Sequence, residues 1–306
     1  MWETEHWGYY TRTHPCTNDP GSCDYLDYAY WSHDQGMIYV AAIWGLVLTA
    51  LIVMLASRML RPSRERVEAT KGSGEDAQAL YKSGTTSRIL QACASVLRRH
   101  LLPGILPPVF HHASRLQVLI LVLFTAYLTV FTFVGIGPWR TWVTPVRDMD
   151  GVYNTRTTLG PWTNRLGTLA YGLMPLSILL ANRESFLSAV TGVPYHHFNF
   201  LHRWLGYIIA LQTTLHSFGR VVVDGILYKP QPQYGLAAFK EWYMIWGIDG
   251  MMLMGFLHIF TLPPVIRLTG YELFRKSHYV LAMVFVGACI GHWVQLQVFM
   301  LPTLCI

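Results

Sequence analysis

The long runs without a formal charge set the first limit on what this chain can fold into. A helix needs about 20 mainly apolar residues to cross the hydrocarbon of a bilayer. Residues 37–56, MIYVAAIWGLVLTALIVMLA, meet that need without one charged side chain, and so do residues 116–137. A shorter run, 166–181, is bounded by Arg165 and Arg183, whose long stems can snorkel and extend its reach. Residues 199–218 form a fourth run, and 242–266 a fifth, with Asp249 its one acid. From about residue 277 to the last there is no Asp, Glu, Lys or Arg. That stretch exceeds one crossing but leaves too little after His292 for another. The expectation is an all-α membrane protein with six complete transmembrane helices plus the start of a seventh, the chain stopping inside an element.

Composition points the same way. Charged residues make up 13% of the 306, about half the share usual in a soluble domain, so lipid is the expected solvent. The 11 Trp suit interfacial belts at both membrane surfaces. A net charge of +6 raises nucleic acid as a partner, but the basic residues fall in the loops between apolar runs. That is a membrane-loop pattern, and no nucleic acid partner is expected. Cys16 and Cys23 flank TNDPGS and would pair if that end lies outside the cytosol; two free thiols in a tail are the plainer reading. Cys289 and Cys305 sit in apolar surroundings and read as packing residues. The opening MWETEHWGYY is acidic, unlike a cleavable signal peptide.

Orientation follows from the basic residues. Residues 1–36 hold Arg12 against six acids, whereas nine Lys or Arg lie between Arg58 and Arg99. The positive-inside bias therefore places the N-terminus outside and 57–115 in the cytosol. The chain divides into an extracytoplasmic tail (1–36), a first transmembrane helix (37–56), a cytosolic basic linker (57–115) and a helical domain (116–306). Within the linker, RVEATKGSGEDAQALYKSGTTS reads as flexible and polar. Arg140, Arg147 and Arg156 fall in a loop assigned outside, a mild exception to the rule.

Two histidine pairs stand out, His202 with His216 and His278 with His292, each spaced fourteen apart. Fourteen residues of helix turn through about 1,400°, within about 40° of four full turns, and rise about 21 Å. Both imidazoles of a pair then share one face at two depths. The two helices carrying them run parallel, with one antiparallel span between. His202 faces His278 at the inner depth, and His216 faces His292 at the outer. That arrangement suits two bis-imidazole haems stacked across the membrane, built for electron exchange rather than ligand binding. Ionisable and polar groups within a membrane span are costly and point to function.

The stretch LANRESFLSAVTGVPYHHFNFLHRWLGYIIALQTTLHSFGR, with RLTGYELFRKSHYVLAMVFVGACIGHW after it, resembles the transmembrane haem domain of fungal ferric reductases, relatives of NADPH oxidases. The resemblance covers roughly residues 110–300. It implies that His202, His216, His278 and His292 hold the iron of two haem b groups. It further implies electrons from cytosolic NADPH through FAD, ferric chelates outside as acceptors, and the plasma membrane as host. No flavin-binding HPF[ST] motif and no glycine-rich nucleotide loop occurs in the sequence. The domain is thus expected to be cut short before its FAD and NADPH modules, with a separate flavin donor as one source of electrons.

Other residues make smaller claims. Arg203 and Arg220 flank ligands and could meet haem propionates, or simply snorkel. Gly206, one turn after His202, would let a porphyrin come close, although glycine is common in membrane helices. Asp249 is the one acid inside a span, and His258 lies about half a turn out of phase with it. No nucleophile or general base is expected. Two rival readings stand beside ferric reduction: a superoxide-generating oxidase-type haem domain and a non-catalytic membrane remnant.

Overall fold

The computed structural model describes residues 1–59, 92, 95–96, 99–105, 113–137, 139–182 and 186–305. Most of the basic linker, including the polar stretch read as flexible, lies outside the described residues. Helices dominate, joined by two small antiparallel hairpins. In order, the elements are β1 (Trp2–Thr4), β2 (Arg12–His14), α1 (Pro20–Met59), α2 (Arg115–Phe133), β3 (Thr141–Pro145) and β4 (Tyr153–Thr157). Then come α3 (Leu159–Ala181), α4 (Phe186–Thr191), α5 (Tyr195–Val222), a π turn (Val223–Leu227) and α6 (Gln233–Ala238). The last are α7 (Trp242–Phe260), α8 (Pro263–Thr269), α9 (Tyr271–His292), a 3-10 turn (Val294–Leu296) and α10 (Gln297–Cys305).

Among the described residues, four helices are long and apolar enough to cross a membrane: α1, α2, α7 and α9. Helices α3 and α5 are also long, at 23 and 28 residues, but are not among these four. The run read as one span over 242–266 ends at Phe260, and Pro263 and Pro264 open a separate short helix. Proline lacks the amide that would continue the earlier ladder.

Helix α1 begins at Pro20, well before the apolar stretch that starts at residue 37. Local chemistry explains the start. The Asp19 carboxylate accepts the Ser22 amide at 2.9 Å, and a proline at the first helical position gives up only a donor that would go unused. Just ahead of it, a Cys16–Cys23 disulfide closes the turn, so the pairing reading of these thiols holds.

Two compact units appear. The first holds Met1–Ile43, Tyr127–Leu179 and Trp204–Ile306; the second holds Trp44–Ala126 and Leu180–Arg203. In the first, α7 and α9 pack along each other. Arg165 is fully buried rather than snorkelling to water. Its guanidinium donates to the Ser32 carbonyl at 3.1 Å, to Ser32 Oγ at 3.0 Å and to the Val134 carbonyl. The arginines that break the charge rule have local partners. Arg140 meets Asp24 at 3.1 Å, Trp142 Nε1 donates to the same carboxylate at 2.5 Å, and Arg156 lies over the Tyr25 ring at 5.0 Å. The β3–β4 hairpin is thereby pinned to the start of α1. In the second unit, Arg58 donates to the Ala189 carbonyl, and Gln117 Nε2 donates to the His197 carbonyl at 3.1 Å.

Candidate functional site

Two of the four histidines meet inside the first unit. His216 lies near the end of α5 and His292 is the last residue of α9. Their ring centroids are 6.1 Å apart and the planes stand at 83°. His216 Nδ1 donates to the Thr163 carbonyl at 2.7 Å, and His292 Nδ1 donates to the Tyr243 carbonyl at 2.5 Å. A carbonyl can only accept, so Nδ1 carries the proton in both rings and Nε2 keeps the lone pair. This is the tautomer that a metal-binding imidazole needs, fixed by its second nitrogen.

The rings sit against bare backbone. A Cβ on Gly167 would lie 2.9 Å from His216 Nδ1, and one on Gly247 would lie 2.7 Å from the His292 ring. Neither glycine was singled out by sequence, because glycine in membrane helices usually signals close helix packing. Beside the rings is a cavity of about 490 Å³, lined among others by Thr213, Ser217, Arg220, Tyr171 and Trp246. Tyr171 donates its hydroxyl to the Cys289 carbonyl at 2.8 Å and stacks near His292 at 6.5 Å.

These features fit a haem. One metal ligated by imidazoles on opposite sides, with bonds of about 2 Å, puts ring centroids roughly 6 Å apart. The cavity is in the size range of cofactor sites. Among the described residues no cluster of three or more His, Cys, Asp or Glu could hold a metal ion, but haem iron needs only two protein ligands, since the porphyrin supplies the rest.

The remaining predicted residues are placed as follows. Arg220 lines the cavity and pairs with Asp224 at 2.9 Å. Burial raises the Asp224 carboxyl above its usual range, against the lowering pull of Arg220. Arg203 is exposed, and nothing lies within 4 Å of a Cβ built on Gly206. His278 belongs to the first unit, its ring 5.5 Å from Phe274; His202 belongs to the second. Asp249 is exposed, while His258 bonds back to the Met254 carbonyl at 2.9 Å.

Residues 166–289 match the family described as ferric reductase like transmembrane component. The resemblance to fungal ferric reductases therefore holds over this helical stretch. It takes in Gly167, His202, His216, Gly247 and His278 and ends three residues before His292. Ferric reductase transmembrane component 3 of Saccharomyces cerevisiae is 32% identical over 134 residues, which is 44% of this chain and 18% of that protein. Component 6 of the same yeast is 30% identical over 136 residues, again 44% and 18%. A probable cell surface ferric reductase of Aspergillus oryzae is 28% identical over 145 residues, 46% of this chain and 19% of its own length. The chain thus spans about a fifth of the curated relatives it matches. No solved structure matches it.

Proposed function

We propose that this chain is the membrane electron-transfer core of a ferric-chelate reductase. The observation that carries the reading is the facing of His216 and His292, each with Nδ1 tied to a backbone carbonyl and Nε2 left for iron. Haem, when bound, supplies one-electron redox chemistry. The protein's part is to fix ligand orientation, tautomer and surroundings. The low polarity beside the rings, set by Met174, Met244 and Phe285, keeps water scarce around the iron. Arg220 is the cation at hand for a propionate.

The spacing argument supports a second haem b on His202 and His278, giving two per chain. Electrons would come from an FAD and NADPH module, as the family resemblance implies, with a separate partner as one carrier of it. Ferric chelates outside the plasma membrane are the proposed acceptors, with the N-terminus on that side. The relatives' names support ferric reduction and a cell-surface location.

Haem content decides first. Pyridine haemochrome on detergent-purified protein is expected to give about two b-type haems per chain, the count that two bis-histidine pairs require. His216→Ala should remove one and leave the other. Well-folded protein without haem would overturn the proposal.

A further inference from the structure

We propose that Gly167 and Gly247 are positioning residues that open two helix carbonyls to the histidine ligands and so choose which nitrogen of each faces iron. The inference rests on the haem reading of His216 and His292 and adds the device that orients them.

Both ligands use the same construction. The carbonyl bound by His216 belongs to Thr163, four residues before Gly167 on α3. The carbonyl bound by His292 belongs to Tyr243, four residues before Gly247 on α7. In a helix each carbonyl already accepts the amide four residues on, but its oxygen keeps a second lone pair. A helical side chain leans toward the N-terminus and covers the turn before its own Cα. The side chain at 167 would therefore shield the Thr163 carbonyl, and the one at 247 the Tyr243 carbonyl. Glycine leaves each oxygen uncovered. The clearances agree: added Cβ atoms would sit at 2.9 and 2.7 Å from ring atoms that real Cβ atoms essentially never approach so closely. Other glycines on these helices do not share the arrangement. Gly172 faces Val40, and Gly255 has nothing within 4 Å.

The consequence is electronic as well as steric. An imidazole donating strongly from Nδ1 is a more basic ligand at Nε2, which favours ferric over ferrous iron. Gly167→Ala and Gly247→Ala should each raise the midpoint potential of this haem and change its low-spin ferric EPR signal. Gly255→Ala, on the same helix as Gly247, should change neither. A second measurement does not depend on those variants accumulating. In His292→Gly protein, added imidazole can donate to the Tyr243 carbonyl but 1-methylimidazole cannot. Imidazole should restore the spectrum at a concentration lower by up to about tenfold, the worth of one hydrogen bond. Equal affinity of the two ligands, or an unmoved potential in both alanine variants, overturns the inference. Unaltered protein without haem would instead remove the reading beneath it.

Discussion

The two parts of α1 invert the usual relation between polarity and burial. Over Pro20–Ile43 the buried residues include Ser22, Ser32 and His33, and buried polar groups there find partners such as Arg165 and the Trp7 carbonyl. Beyond it, Leu46, Leu48, Ile52 and Val53 are more than half exposed although the segment carries no charge before Arg58. Water would penalise that second part heavily; lipid does not, since hydrocarbon is as apolar as leucine. The first part is held by hydrogen bonds and tight packing, the second by its solvent. One helix therefore depends on two kinds of free energy, and substitutions separate them.

The largest effect is expected in the first part. Arg165→Ala removes three donated hydrogen bonds and leaves a hole, at a cost of about 3 kcal/mol. A thermal melt in detergent should show it; an unchanged midpoint would mean the arginine network does not hold this region. Next comes the exposed part. Ile52→Asp should disfavour membrane insertion by about 2.5 kcal/mol, read by glycosylation mapping, whereas Ile52→Val should leave insertion unchanged. If the aspartate variant inserts as well as the parent, lipid is not what surrounds that face. The smallest change is Asp19→Ala, which removes the acceptor for the Ser22 amide and should cost about 1 kcal/mol. It should loosen residues near 20 in hydrogen exchange without touching the apolar part, and equal loosening of both would erase the distinction drawn between them.

How far the sequence could be read follows the same division. The membrane class was legible, because uncharged runs such as 37–56 have no other solvent to suit them. The fourteen-residue histidine spacing was legible because helical phase is fixed by geometry. The start of α1 was missed, although Asp19-Pro20 is a helix-opening signal; Asp24, Asp27 and Asp34 hid it by breaking the apolar pattern. Arg165 was misread because a cation at the edge of an apolar run can turn outward or inward, and only Ser32 and Val134, distant in sequence, decide which. The same holds for Gly167 and Gly247. Nothing local separates them from Gly255; what marks them is an imidazole arriving from another helix.

Trp293 Nε1 donates to the Gly8 carbonyl at 3.0 Å, across 285 positions of sequence. Tyr9 packs against the same indole with centroids 5.7 Å apart. During synthesis, Gly8 must wait for a residue 285 positions later before this contact can close. Since Trp293 follows His292 directly, the wall of the cavity contributed by Tyr9 and Tyr10 is completed only after the second histidine of the pair is in place. The order of manufacture thus leaves that side of the cavity open until Trp293 has been made, and closes it afterwards.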